Sequence, residues 1–349
     1  MQYIGVDNHK KFSYLAIMDE KGKILKEGKI GNSRESLKKF LGDSDEPQKA
    51  VLEAGRNWTV MHDWLEEDME EVKLAHPMKV KAIAEAKIKT DKIDAKILAH
   101  LLRTDLVPEA YVPKKRTREV KNVLRQRMFF VKLSSMTKNR IHNILDRYPD
   151  IRGRIDPSDL FGKQGIKWLK VVELPEEARK LLDEELELLE YLKEKIKRSD
   201  SVVAHLGSKD KRVKRLMTIP GIGKFFALLI AVEIDDIKRF RNKSKLASYA
   251  GLIPSVHSSA DKTFYGKIVS HGNKHLRWAF IEAVWPAIKK DLRLMEMYSK
   301  VKQYKKVNIA KVAVARRLCE IAYRVLSEDR DYVANYSGRP HNLLAVAEN

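Results

Sequence analysis

Gln2-Tyr-Ile-Gly-Val-Asp7 is an apolar run long enough for one strand and no longer, and it ends on a carboxylate. Reading outward from it, Phe12–Met18 alternates as a second strand, Asp19-Glu-Lys-Gly22 is turn chemistry, and Lys23–Ile30 supplies a third strand. Asn32 or Ser33 then caps a helix that runs to about Leu41. Lys49–Leu52 reads as another strand, Thr59–Glu67 as helical, and Val72–Ala75 as a fifth strand. Asp91–Leu102 is a helix with Ile93, Ile97, Leu98, Leu101 and Leu102 as its apolar positions. Strands alternating with helices predict a mixed sheet flanked by helices.

The character changes around Pro108–Pro113. From Pro113 to Arg147 there are eleven Lys/Arg against two Asp/Glu, and Val120, Val123 or Leu124, Val131, Met136, Ile141, Ile144 and Leu145 recur roughly three or four apart. That pattern is a long basic amphipathic helix. After a looser segment, Tyr148–Gly165, Pro175 opens a second helix striped with Leu182, Leu186, Leu189, Leu192 and Ile196. Two long helices split by a loop make either a coiled-coil arm usable for dimerisation or a hairpin packed on its own chain. A third region begins near Gly207, with helices at Ser244–Ala250, Asn273–Lys289 and Asn308–Leu326. The organisation is multidomain α/β plus α, divided at 1–112, 113–206 and 207–330, with a tail at 331–349.

Composition narrows the function. The net charge of +21 over 349 residues suits a polyanionic partner, nucleic acid or an anionic membrane surface. No apolar run reaches the length of a membrane span, and Met1–Lys11 has no apolar signal core, so no membrane partner is expected. A single cysteine, Cys319, excludes an internal disulfide framework and a Cys-rich zinc site, which points to a reducing compartment. The expected location is the cytoplasm, in association with the nucleoid.

Four acids stand out against this basic background. Asp7 and Glu53 each follow a strand, and Asp91 and Asp94, three apart, share one helical face. Any one of them could be a turn former, a cap or a surface ion-pair partner. Gathered into one pocket they would repel and raise one another's pKa unless a cation offset them. Mg²⁺ prefers such hard oxygen donors, and paired ions can clamp both oxygens of a phosphodiester in displacement.

Ile219-Pro-Gly-Ile-Gly223 between helical stretches matches a helix-hairpin-helix signature, whose backbone amides approach a phosphate without reading the base. Farther on, His257-Ser258-Ser259 lies near Lys262, Lys267 and Arg277, so an activated serine beside phosphate-holding cations is conceivable there. The candidate nucleic-acid contacts are Gly221, Gly223, Lys224, Lys262, Lys267 and Arg277. On the long basic helix they are Arg116, Arg125, Arg127, Lys138 and Arg140.

The ordered set Gly5-Val-Asp7, Leu52-Glu53-Ala-Gly, Lys89-Thr-Asp91-Lys-Ile-Asp94-Ala, Ile219-Pro-Gly-Ile-Gly223, Tyr249-Ala-Gly-Leu-Ile-Pro254, His257-Ser-Ser259 and Gly272-Asn…Leu276-Arg277 resembles the IS110/IS1111 family of insertion-sequence transposases, over about Gln2–Leu326. The resemblance implies a RuvC-like (ribonuclease H-fold) N-terminal domain, a coiled-coil insert and a C-terminal transposase domain. It implies that Asp7, Glu53, Asp91 and Asp94 form an Asp-Glu-Asp-Asp site for Mg²⁺ or Mn²⁺. It also implies a nucleophilic serine at Ser258, with Ser259 as second choice; this chain has Ala260 where the family favours glycine after the serines. The implied partners are donor and target double-stranded DNA, a structured bridge RNA that pairs with both, and further copies of the chain in a dimer or tetramer. Serine and carboxylates fall in separate domains, so a composite site is expected.

Two other readings compete with it. A RuvC-like endonuclease or Holliday-junction resolvase would use the same acids with water as nucleophile, and a non-enzymatic nucleic-acid-binding scaffold would need only the charge and the hairpin.

Overall fold

The computed structural model describes residues 1–55, 57–83, 90–259 without 153–158, and 262–334; at Arg152, 256–259, 262, 263 and 265 it describes the backbone alone. The chain divides into two compact units, one at Met1–Pro113 and one beginning at Lys114.

In chain order the first unit runs β1 (Gln2–Asn8), β2 (Phe12–Met18), β3 (Ile24–Gly31), α1 (Arg34–Leu41), β4 (Gln48–Glu53), α2 (Trp58–Asp68), β5 (Glu71–Ala75), α3 (Pro77–Ile83) and α4 (Asp91–Arg103). The strands form one mixed sheet in the order β3-β2-β1-β4-β5. The β1–β2 and β2–β3 pairs are antiparallel, as the tight turns between them require, and the β1–β4 and β4–β5 pairs are parallel. Side-chain alternation sorts the two faces. Ile4, Val6, Leu15, Ala50 and Leu52 pack with Leu37 of α1 and with Met61 and Leu65 of α2. On the opposite face Val51 and Ala75 pack with Leu98, Leu101 and Leu102 of α4. Gly5 lies on that second face, where a Cβ would fall 2.0 Å from the Ala95 carbonyl oxygen and 2.6 Å from the Ala99 nitrogen. The missing side chain is what lets α4 lie directly on β1.

The second unit runs α5 (Lys115–Leu145), α6 (Pro149–Arg152), α7 (Lys163–Val171), α8 (Glu176–Ser208), α9 (Lys211–Met217), α10 (Lys224–Ile234), a 3₁₀ turn (Ile237–Arg239) and α11 (Lys243–Tyr249). It continues with β6 (Pro254–Ser259), β7 (Lys262–Ile268), α12 (Lys274–Glu282), α13 (Val284–Ile288), α14 (Leu292–Tyr304) and α15 (Val307–Ser327). The long helices α5 and α8 are antiparallel. Ile141 and Leu145 share a core with Leu182, Leu186 and Leu189, while Val120 and Leu124 share another with Val203. In α10 every residue from Ala227 to Ile234 is buried, so most of the apolar stretch Phe225–Val232 lies in a helix enclosed on all sides. Around it stand Leu276 and Phe280 of α12 and Val314, Leu318 and Cys319 of α15.

Several elements depart from the sequence reading. Pro254–Ser259 and Lys262–Ile268 pair as an antiparallel ladder, β6–β7, where the sequence predicts no strand. Its Ser, His, Lys and Thr residues carry no apolar alternation to mark a strand. The helix expected at Asn273–Lys289 is two, α12 and α13, because Pro286 has no N–H to donate to Glu282. Helix α14 goes unread in the sequence because exposed Leu292 and Met295 blur its period; Asp291 caps it by accepting from the Leu294 N–H at 3.1 Å. Part of the looser segment is helical, as α6 and the start of α7. The first residues of the expected tail are anchored: the Tyr332 N–H donates to Thr218 Oγ1 at 2.8 Å, and its hydroxyl donates to Asp291 Oδ2. Residues 335–349 lie outside the described residues.

Candidate active site

Strands β1 and β4 run parallel with Val6 opposite Leu52, so Asp7 and Glu53 are the next residues at the same end of the sheet. Asp7 shares a face with Gly5, and Glu53 with Val51, which is the face that α4 covers. Helix α4 begins there. Thr90, not Asp91, is its cap, accepting from the Ile93 N–H at 3.3 Å, and both Asp91 and Asp94 sit in the first turn, where the helix dipole favours negative charge.

Asp7 is half-buried, and its carboxyl is pushed above the usual range, first by burial and then by the charges of Asp91 and Asp94, with His9 opposing. The structure therefore brings Asp7, Asp91 and Asp94 within electrostatic reach and sets Glu53 at the same sheet end, on the same face. Between Asp7 and Asp91 stands a residue that the sequence reading passed over. His9 Nε2 is 3.2 Å from Asp7 Oδ2 and 3.2 Å from Asp91 Oδ1. One ligand atom from each of the three lies within 4.8 Å of the others. The available signal was the Asp-x-His spacing at the end of β1, which puts both side chains on one side of an extended chain.

Hard carboxylate oxygens with one imidazole are a donor set for a divalent cation, and the repulsion that raises Asp7 is what a cation would relieve. The residues fit such an ion. A second group, His62 with Asp63 and Glu66, lies within one helix, where the imidazole Nδ1 is 3.9 Å and 3.7 Å from the two carboxylates.

In the second unit α9 and α10 are joined by the Thr218–Gly223 turn. Gly221 has φ +85°, and a Cβ there would stand 2.3 Å from the Ala283 carbonyl oxygen, so this glycine serves close packing against the α12–α13 corner. Gly223 caps α10 with open space around its Cα, and Lys224, the first helical residue, is exposed. Ser258 and Ser259 stand in β6 opposite Thr263 and Lys262. The side chains of His257, Ser258, Ser259 and Lys262 lie outside the described residues, as does Ala260, while Lys267 on β7 is exposed.

Many of the candidate nucleic-acid cations have partners inside the chain. Arg116 pairs with Glu119 at 3.1 Å, Arg140 with Glu185, and Arg127 with Asp200 at 2.6 Å while stacking 4.2 Å over Phe225. Lys138 lies 4.9 Å over the Phe161 ring. Arg277 donates to the Val269 and His271 carbonyls at 2.9 and 3.3 Å, a clamp on the strand leaving the hairpin. Arg125 reaches Glu233 at 2.6 Å.

Glu233 is 2% exposed and also meets Lys121 Nζ at 3.4 Å and the Asn273 amide at 2.8 Å. Burial pushes its carboxyl up, but Lys121, Arg125 and the Asn273 amide overcome it, leaving the group below the usual range. Asn273 in turn caps α12, accepting from the His275 and Leu276 N–H groups. This buried knot ties α5, α10 and α12 together. The lone acid in an apolar run was its only signal in the sequence.

Comparison with known proteins finds two family models. Residues 4–149, which hold all four acids, match a transposase model, DEDD_Tnp_IS110. Residues 213–299, which hold the helix hairpin and β6–β7, match the model of the transposase IS116/IS110/IS902 family. The chain is 27% identical over 286 residues to a "Probable family 20 transposase" of Pseudomonas aeruginosa, covering 78% of this chain and 82% of that one. It is 25% identical over 336 residues to the transposase for insertion sequence element IS1328 of Yersinia enterocolitica, covering 93% and 96%. A shorter match, 36% identical over 129 residues, joins 35% of the chain to 38% of a pilin gene-inverting protein of Moraxella bovis.

Proposed function

Because this chain belongs to the IS110/IS1111 family of insertion-sequence transposases, we propose that it cuts and rejoins donor and target DNA by metal-dependent serine chemistry, directed by a structured bridge RNA. The observation that carries the metal-dependent part is the convergence of Asp7 and Asp91 on one point at the end of β1, with Asp94 within electrostatic reach and Glu53 beside them on the sheet. The strand order β3-β2-β1-β4-β5 supports a RuvC-like, ribonuclease H-type first domain. The divisions 1–112, 113–206 and 207–330 remain our reading of the domains. Exposed Phe129 and Met136 on α5, with Leu188 and Tyr191 on α8, support assembly of copies through the arm.

Asp7, Glu53, Asp91 and Asp94 would hold Mg²⁺ or Mn²⁺. Once bound, the ion would supply Lewis-acid activation of the scissile phosphate and offset the acids' repulsion. The chain's own groups do the rest. Ser258 Oγ forms a bond to phosphorus, the 3′-oxygen leaves with the serine proton as a free 3′-OH, and a 5′-phosphoserine remains. A 3′-OH of the other DNA then attacks that linkage, and the serine leaves with its proton restored. Gly223, Lys224, Lys262 and Lys267 hold phosphate oxygens without reading bases, which leaves sequence choice to RNA pairing.

The pilin gene-inverting relative favours recombination over simple cleavage, because inverting a segment of DNA requires its cut ends to be rejoined. Incubating wild type and Ser258→Ala with RNA and both DNAs tests the reading. A denaturant-resistant protein–DNA adduct is expected in the first and absent in the second. An adduct that persists in Ser258→Ala moves the role to Ser259, and cleavage without any adduct favours the water-using endonuclease.

A further inference from the structure

We propose that His9 is a further ligand of the metal centre, a nitrogen donor that tilts the site toward Mn²⁺ relative to Mg²⁺. The inference rests on the carboxylate centre proposed above and adds to it a residue outside the four acids.

Three observations carry it. First, the ring is aimed into the gap that the acids leave: Nε2 is 3.2 Å from an oxygen of Asp7 and 3.2 Å from an oxygen of Asp91. Second, the residue is pinned. Its N–H donates to the Phe12 carbonyl at 3.0 Å, its carbonyl accepts from the Asn32 amide at 2.7 Å, and its ring lies 4.8 Å from that of Phe12. The Ser13 hydroxyl lies 2.9 Å from Asn8 Oδ1 and 2.7 Å from Asn32 Oδ1, so the turn between β1 and β2 is braced from both sides. Third, the charge is suitable. Asp7 and Asp91 already bring two carboxylates to the gap, and another acid would add to their repulsion. An imidazole ligand brings a nitrogen lone pair without a further negative charge.

Imidazole nitrogen suits first-row transition ions, whereas Mg²⁺ keeps to oxygen and retains its waters. Losing His9 should therefore cost one ion far more than the other. The competing account makes His9 only a hydrogen-bond donor that steadies Asp7 and Asp91. That role would affect both ions equally.

The test uses the full-length protein without nucleic acid. Mn²⁺ binding is followed by the free-ion electron paramagnetic resonance signal and Mg²⁺ binding by calorimetry, in wild type, His9→Ala and Asp91→Asn. Pulsed resonance of bound Mn²⁺ reports directly whether a nitrogen is coordinated. We expect a ¹⁴N coupling in wild type that disappears in His9→Ala, with Mn²⁺ affinity falling about tenfold or more and Mg²⁺ affinity changing far less. No ¹⁴N coupling in wild type, or equal losses for both ions, overturns the assignment of His9 while leaving the carboxylate centre standing. If Asp91→Asn binds both ions as wild type does, or wild type binds neither, the centre itself falls and His9 with it. The wild-type nitrogen signal requires no variant, so a misfolded His9→Ala protein would not shield the assignment.

Discussion

At Gly5 a Cβ would stand 2.0 Å from the Ala95 carbonyl oxygen, a backbone atom that cannot swing aside. Gly5→Ala must therefore push α4 off β1, and with it Asp91 and Asp94. The expected cost is about 1–3 kcal/mol of unfolding free energy, read from urea denaturation, together with loss of strand transfer. Wild-type activity in a stably folded Gly5→Ala protein would mean that the α4 position does not set the site. Asp7 gives a contrasting case. Its carboxyl is raised in the folded state, so in the absence of metal its ionisation becomes a cost as pH rises through the folded pKa. Asp7→Asn should then abolish DNA cleavage yet melt no lower than wild type in chelator at neutral pH. Melting well below wild type under those conditions would contradict burial and carboxylate repulsion as the origin of the shift.

Among the elements, α5, α10 and α12 meet at Glu233. Removing this acid leaves Lys121 and the guanidinium of Arg125 without their counter-charge, and frees an amide hydrogen of Asn273. Glu233→Ala should destabilise by about 3 kcal/mol, the low end for a broken buried ion pair because Arg125 reaches solvent. The carboxyl is lowered in the folded state, so its contribution is complete above the usual carboxylate range and is lost as pH falls through the lower folded value. The stability gap between wild type and Glu233→Gln should accordingly close on acidification. Chemical denaturation at a series of acidic pH values measures it, and a gap that widened instead would refute the sign. The β6–β7 hairpin belongs to this scale too. Its pairing places Ser258 and Ser259 in a strand, and Arg277 holds the Val269 carbonyl just beyond the partner strand.

For the whole molecule the governing quantity is the net charge of +21. Binding to duplex DNA should weaken linearly in log–log terms as salt rises, because neutralised phosphates release counterions. Asp7→Asn and Ser258→Ala should keep that slope and lose strand transfer, since neither removes a cation. A filter-binding salt series beside a strand-transfer assay measures both. Retained strand transfer in Asp7→Asn would favour the scaffold reading over the enzyme. Among the described residues no helix is long and apolar enough to cross a membrane.

Apart from α3, the local order of strands and helices in the first unit could be read from the amino acids, as could the basic helix α5, and the four acids stood out there as candidates. Alternation, a 3.6-residue period and caps are properties of short segments. Even Asp91 and Asp94 were legible as one helical face, although Thr90 turned out to be the cap. What short segments could not carry was decided by packing. His9 meets Asp91 because α4 seats on Gly5, Glu233 finds its partners on two other helices, and Gly221 and Arg277 serve the interior of the fold. Each of these contacts joins residues far apart along the chain, so its existence depends on the sum of burial and close fit over the whole unit, which no single stretch of sequence contains.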